Sequence, residues 1–352
     1  MDDYYKKRDL DNFEKINSLL VNLPEFVSLF IIGISNKTST LTRLNYLNDI
    51  KIFFDYLSKT TLLKNVKDIS ASDLENLKAY NIEMYLDYLT SYNLDGKTLS
   101  CSERAKERKL SSIRSLYKYL FQKDMISKNV SLKVDMPKIH DKPIIRLSNN
   151  EIPEILDRAA DGQNLSGHAA AYHENTKYRD EAIIYLFLGT GIRVSELVGL
   201  NRTDFDFNNG SFIVTRKGGN RSILYLPQEV IDILQDYIAW VDMQIENKTK
   251  FGQKIIDKNV MFHSLQGNRI GVRAVEKMVK KYASIVTPLK KITPHKLRST
   301  FATQLYQETK NIYVVADVLG HSDVNTTKKH YAQMSEEIKK QAADITKLKK
   351  SN

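Results

Sequence analysis

Six residues in the second half of the chain have types and spacings that could serve chemistry. Arg193 follows a Gly189-Thr190-Gly191 turn. Lys217 opens the glycine-rich stretch Lys217-Gly218-Gly219-Asn220. His295 and Arg298 are three residues apart, and so share a face if the segment is helical. His321 follows Gly320, and Tyr331 comes ten residues later. Much of the usual equipment for phosphate chemistry is missing. Asp204 and Asp206 alternate, but no third carboxylate stands at a spacing that would complete a two-metal site. The histidines form no H-E-x-x-H pair, and no G-x-x-x-x-G-K-[ST] loop is present. The single cysteine, Cys101, excludes an intramolecular disulfide framework and a Cys-cluster zinc site, and it suits a reducing compartment. Neither a metal nor a nucleotide cofactor is implied. Taken singly, each of the six has an ordinary alternative: Arg193 can pair with Glu196, Lys217 can be a surface lysine, and His295 can cap its helix. Their significance lies in the ordered set.

The elements that must position these residues are mostly helical. A helix is expected around residues 9–20. A clearer one starts near Thr38 or Ser39 and carries Leu41, Leu44, Leu47, Ile50, Phe54 and Leu57 at three- and four-residue steps. A third begins at Ser70–Asp73 and continues through Leu77, Ile82, Tyr85, Leu86 and Leu89, ending at residues 93–96. A fourth, about residues 101–123, shows Leu110, Ile113, Leu116, Tyr117, Leu120 and Phe121 on one face. Its other face carries Arg104, Lys106, Arg108, Lys109, Arg114 and Lys118. This predicts a four-helix unit with one basic helix face, followed by an exposed linker containing Pro137 and Pro143. Ser148 and Glu151 have capping-box spacing for the next helix. Residues 161–178 read as an irregular insertion, and residues 181–188 as a buried helix ending at the Gly-Thr-Gly turn. Residues 211–216 and 223–226 read as a β-hairpin around the glycine stretch. Helices return over 229–244, 271–285, 295–309, 313–319 and 335–348. The expected fold is mainly α with one small β-sheet, in two domains: 1–136 helical, 137–147 a basic linker, and 148–352 mostly helical.

Length and charge agree with this division. The 352 residues suit two domains, and 42% hydrophobic content suffices for two cores. Lys and Arg number 53 against 42 Asp and Glu, a net charge of +11, which points to a polyanionic partner. Residues 97–146 hold thirteen Lys/Arg and five Asp/Glu, so most of the excess falls in one segment. That concentration favours a binding surface over a generally basic protein. No apolar run approaches the ~20 residues a bilayer span requires, and the first residues lack the order of a signal peptide. A protein of the cytoplasm is expected, with no membrane association.

In these stretches the chain resembles the tyrosine recombinases, the phage-integrase family. GTGIRVSEL (189–197) is similar to the family's first arginine box, and RKGGNRSILYLP (216–227) to its lysine hairpin. TPHKLRSTFAT (293–303) resembles its H-x-x-R box, and LGHSDVNTTKKHYAQM (319–334) its second histidine and nucleophilic tyrosine. The basic helical first domain resembles the family's core-binding (SAM-like) domain, so the likeness runs from about residue 25 to the end and implies a two-domain clamp on DNA. Ser299 stands where many relatives have a second histidine. Two glycines follow Lys217 where one often precedes it, which leaves Arg216 as a weaker rival for the hairpin role.

By this resemblance the catalytic roles fall on Arg193, Lys217, His295, Arg298, His321 and Tyr331, with Glu196 as a supporting residue. Arg193 and Arg298 would clamp the phosphate with His321 as a donor, since a guanidinium forks onto phosphate and stays charged. Tyr331 would be the nucleophile, assisted by His295. Lys217 would give a proton to the leaving 5′-oxygen. The resulting 3′-phosphotyrosine keeps the bond energy, so religation needs no ATP. The layout resembles the Xer-like recombinases that resolve chromosome dimers. It implies double-stranded DNA with an inverted-repeat site as partner, a homotetramer on DNA joined by the helix at 335–352, and a place at the bacterial nucleoid. The alternatives are a mobile-element integrase, a type IB topoisomerase, and a DNA-binding protein without catalysis.

Overall fold

The computed structural model describes residues 3–94, 96–139, 145–216 and 218–320. The chain divides into two compact units, Met1–Lys142 and Pro143–Asn352. Of the expected linker, residues 140–144 lie outside those described. Leu147, at its end, is buried in the second unit, where its N–H donates to Thr300 Oγ1 at 3.0 Å.

In the first unit six helices are described: α1 (Asp3–Leu20), α2 (Glu25–Gly33), α3 (Thr40–Thr60), α4 (Ala71–Asn76), α5 (Ala79–Tyr88) and α6 (Glu103–Gln122). Ser39 caps α3, its Oγ accepting the Thr42 N–H at 3.2 Å. α3 buries Leu47, Ile50, Phe53, Phe54 and Leu57, and α6 buries Leu110, Ile113, Leu116, Tyr117 and Leu120. Each such side chain contributes roughly 1.5–3 kcal/mol.

The unit is therefore not the expected four-helix one. α1 begins earlier than residue 9. The apolar stretch before Ile34 is a helix of its own, burying Phe26, Val27, Phe30 and Ile31. The expected third helix is two helices, α4 and α5, parted at Leu77-Lys78. Each part has its own cap: Ser70 and Asp73 bond reciprocally, and Asn81 Oδ1 accepts the Lys78 N–H at 2.8 Å. Tyr117 seals the break by donating to the Leu74 carbonyl at 2.9 Å. Residues around Gly96 form a second sheet rather than a mere interruption. β1 (Tyr92–Leu94) pairs antiparallel with β2 (Lys97–Leu99), Tyr92 opposite Leu99.

The second unit is built around α9 (Lys177–Thr190). It buries residues all round, among them Ile183, Ile184, Phe187 and Leu188. A helix without a polar face must be central, and α9 packs against α7 (Glu151–Asp161), α11 (Gln228–Glu246) and α13 (Pro294–Thr309). Residues 161–178 are not simply irregular, since they contain α8 (Gly167–His173) and the start of α9. Buried His173 anchors the segment, its Nδ1 lying 3.2 Å from Tyr282 Oη on α12 (Val272–Val286). Tyr282 in turn donates to Asp180 at 2.9 Å, and Asp180 also pairs with Arg179 and Lys281. Burial alone would raise the Asp180 carboxyl pKa, but the two cations hold it below its ordinary value. The other sheet has order β3 (Phe205–Asp206), β4 (Ser211–Thr215), β5 (Arg221–Tyr225), with Phe212 opposite both Phe205 and Leu224. Short helices α10 (Val194–Leu197) and α14 (Ile312–Leu319) complete the described part.

Candidate active site

The Gly189-Thr190-Gly191 turn ends α9. Gly191 adopts φ +62°, and a Cβ there would stand 2.4 Å from the Phe301 ring on α13. Only glycine allows both the left-handed turn and this close approach. The turn delivers Arg193 to the N-cap of α10, where Glu196 Oε2 accepts its N–H at 3.0 Å. Glu196 is buried, and its Oε1 receives the Arg193 guanidinium at 2.8 Å. A buried carboxylate requires such cations. A second one arrives from the end of β4: Arg216 Nη1 lies 3.2 Å from Glu196 Oε2.

α13 opens with Pro294 in its first turn and presents Arg298 to the same place. Arg298 is 5% exposed and donates to the carbonyls of Gly191 and Leu319, both at 2.5 Å. Arg193 reaches the Gly320 carbonyl at 3.2 Å, and Arg216 reaches those of Val318 and Leu319 at 3.1 and 3.4 Å. Three guanidiniums thus converge on the carbonyl end of α14, where unpaired C=O groups and the helix dipole favour positive charge. Among the described residues this convergence joins the first arginine box, the hairpin and the H-x-x-R box. His295 is exposed at the start of α13. Lys217, His321, Tyr331 and residues 335–352 lie outside the described residues.

The basic face assigned to α6 needs correction. Arg104 and Lys118 are exposed. Lys106 pairs with Glu103 at 3.2 Å and bonds Thr90 at 3.1 Å. Lys109 is not on the outside. It is 4% exposed and pairs at 3.0 Å with Asp49 of α3, which is itself buried. Arg108 joins the same carboxylate at 2.5 Å, with its side chain half exposed. Arg114 is turned back onto its own unit, donating to the carbonyls of Ser131 and Val134. The reason is compensation: a buried carboxylate and two buried carbonyls take the nearest cations on α6. Conversely, Phe121, expected in the core, is 48% exposed. A further basic stripe, Arg273, Lys277 and Lys280, lies on the exposed side of α12, opposite buried Val275, Met278 and Val279. Its i, i+4, i+7 spacing was the available signal.

No helix among the described residues is long and apolar enough to cross a membrane. Residues 146–337 match the phage integrase family, and residues 29–124 match the N-terminal SAM-like domain of phage integrases. The chain is 32% identical to tyrosine recombinase XerS of Streptococcus agalactiae serotype III (strain NEM316) over 347 residues, covering 91% of this chain and 95% of that one. It is 33% identical to tyrosine recombinase XerC of Thermodesulfovibrio yellowstonii (strain ATCC 51303 / DSM 11347 / YP87), covering 68% and 73% of the two chains. In fold it resembles the XerH site-specific recombinase in a post-cleavage complex with a palindromic difH substrate. That likeness has a TM-score of 0.62 at 20% identity, covering 83% of this chain and 76% of the other. A dimer of a lambda integrase fragment (75–356) bound to a COC' core site has a TM-score of 0.59 at 16% identity, covering 89% and 94%. The chain therefore belongs to the phage integrase family and is a Xer-like tyrosine recombinase, a member of a class of enzymes that cleave and rejoin DNA.

Proposed function

We propose that this recombinase cuts and religates double-stranded DNA at a short inverted-repeat site through a 3′-phosphotyrosine on Tyr331, and that it resolves chromosome dimers as a homotetramer in the bacterial cytoplasm. The supporting observation is the joint anchoring of Arg193 on the Gly320 carbonyl and of Arg298 on the Leu319 carbonyl, one and two residues before His321 in the sequence. Two guanidiniums that stay charged are thereby held together at the segment that leads into His321 in the sequence, and two arginines with a histidine are the donor set that a phosphodiester needs as charge builds on its non-bridging oxygens. In the proposed step the Tyr331 oxygen bonds to phosphorus as its proton passes to His295. The bond to the 5′-oxygen breaks, and Lys217 protonates that oxygen. Religation runs the same step backwards, so no nucleotide is consumed.

DNA would be held through phosphate contacts. Arg104, Lys106, Arg108 and Lys118 remain candidates on α6, joined by Arg273, Lys277 and Lys280 on α12. Lys109 and Arg114 leave the set, because their charges already serve the fold. The test is a supercoiled plasmid carrying two copies of the site, incubated with the protein in EDTA and without nucleotide. Recombinant circles are expected. Relaxation alone would mark a topoisomerase, retardation alone a binding protein, and strict dependence on magnesium would overturn the mechanism.

A further inference from the structure

We propose that Arg216 is a positioning residue of the cleavage step: with Glu196, it fixes both the hairpin that carries Lys217 and the helix end that precedes His321 relative to Arg193. The inference rests on the catalytic reading above.

Arg216 is a hinge point in two ways. Its backbone closes the hairpin loop: its N–H donates to the Asn220 carbonyl at 2.7 Å, and its own carbonyl accepts from Gly219 at 3.1 Å. Its side chain leaves the sheet altogether. With 9% exposure it reaches Glu196 at 3.2 Å, Val318 O at 3.1 Å and Leu319 O at 3.4 Å. One guanidinium therefore ties three segments together, and each segment contributes a catalytic candidate: Arg193 next to Glu196 on α10, Lys217 one residue on, and His321 two residues beyond Leu319. The packing is close on the far side as well, since a Cβ on Gly320 would lie 2.9 Å from Arg216 Cζ. This fit requires a planar fork with several fixed donors. A lysine ammonium could neutralise Glu196 but would not span both carbonyls.

The same geometry argues against Arg216 as the proton donor. A general acid must reach the leaving oxygen and release its proton. Arg216 is enclosed, both of its terminal nitrogens are engaged, and a guanidinium does not give up a proton in proteins.

The experiment uses the full-length chain and a nicked duplex bearing the site that this protein selects from a random-sequence library. Covalent adduct is followed on denaturing gels under single-turnover conditions. A second duplex carries sulfur in place of the leaving 5′-oxygen, which departs without a proton. Arg216→Ala is expected to cleave the ordinary duplex on the order of a hundredfold more slowly, the cost of displacing groups by about an ångström. Its affinity for the duplex should stay within about twofold of wild type, because Arg216 faces the protein interior. Arg216→Lys should lose less, about tenfold, by keeping the pair with Glu196 but not the fork. On the sulfur duplex Arg216→Ala should recover only in part, because the α14 end remains displaced, whereas Lys217→Ala should recover fully. Full recovery of Arg216→Ala with none for Lys217→Ala would make Arg216 the acid and overturn the proposal. If Arg216→Ala melts lower but cleaves at the wild-type rate well below its melting temperature, Arg216 is a stabilising residue only, which would overturn the proposal too. If the catalytic reading itself fails, the wild-type chain forms no adduct on either duplex, and the proposal falls with it.

Discussion

Replacing Asp49 by alanine would strip the counter-charge from a lysine that has no route to water. Asp49 is 1% exposed and Lys109 4% exposed, with 3.0 Å between them. Arg108, half exposed, can turn to solvent once the carboxylate is gone, and Ser112 keeps a second acceptor in the Arg108 carbonyl. The cost therefore falls mainly on Lys109. Removing one partner of a buried ion pair costs about 3–5 kcal/mol, a large share of a typical domain's ~5–15 kcal/mol. For a unit of this size that corresponds to a fall in melting temperature of roughly 10–20 °C. The compensated variant Asp49→Leu with Lys109→Met should lie within about 1 kcal/mol of wild type, because a well-packed apolar pair can replace a buried ionic one. Calorimetry of the full-length chain measures the stability, and a salt titration of DNA binding runs beside it. If Asp49→Ala melts within about 2 °C of wild type while Lys109→Met flattens the salt dependence, the burial argument is wrong and Lys109 faces the DNA.

Other consequences can be checked directly. Tyr331→Phe should bind DNA as wild type does and form no covalent adduct, whereas an adduct from the mutant would move the nucleophile to another tyrosine, Tyr306 or Tyr313. Lys217→Ala should lose cleavage of ordinary DNA, and a failure to regain it on the sulfur duplex would remove Lys217 as the acid. Arg104→Glu with Lys118→Glu should reduce the log–log salt slope by close to one unit for each phosphate no longer neutralised, and an unchanged slope would mean that this side of α6 is plain solvated surface. Truncation before residue 335 should abolish cooperative assembly and recombination but leave single-site binding and melting near the full-length values. A loss of several degrees with cooperativity retained would show that the segment packs on its own chain.

What the sequence revealed of the fold follows from how strongly each segment is patterned. α3 and α6 carry apolar residues at unbroken helical steps, and both occur where that spacing puts them. The β4–β5 hairpin was legible from β-branched runs flanking two glycines. The break at Leu77-Lys78 was not, because Leu77 continues the apolar rhythm while its backbone leaves the helix; the reason to stop there is Tyr117, forty residues away. α2 is apolar nearly throughout, so no periodicity marks it. α8 lies among glycine, asparagine and serine, and its place is set by the burial of His173 against Tyr282. At the site, the residue types and their order were visible in the sequence, but the partner of each charge was not. Helical spacing separates Lys109, four residues before Ile113 and seven before Leu116 on the buried face, from Arg104 on the opposite side. What the spacing does not show is Asp49, the carboxylate on another helix that lets a lysine stay there. Arg216 is a similar case: next to Lys217 it reads as a second basic residue in the loop, and the carbonyls it holds lie more than a hundred residues further along the chain.

The guanidiniums gathered at the end of α14 also bear on where entropy is lost. A free arginine side chain carries about 2 kcal/mol of rotamer entropy. Arg298 and Arg216 have already surrendered theirs, since both are immobilised by carbonyl groups and, for Arg216, by Glu196. On the proposed reading, a scissile phosphate meets cations whose orientation was settled when the chain folded, so little reorganisation is left for the encounter. Enzymes commonly trade stability against activity. Here the two are coupled with the same sign: a change that loosens the last turn of α14 weakens the fold of the second unit and unfixes the charges that meet the transition state.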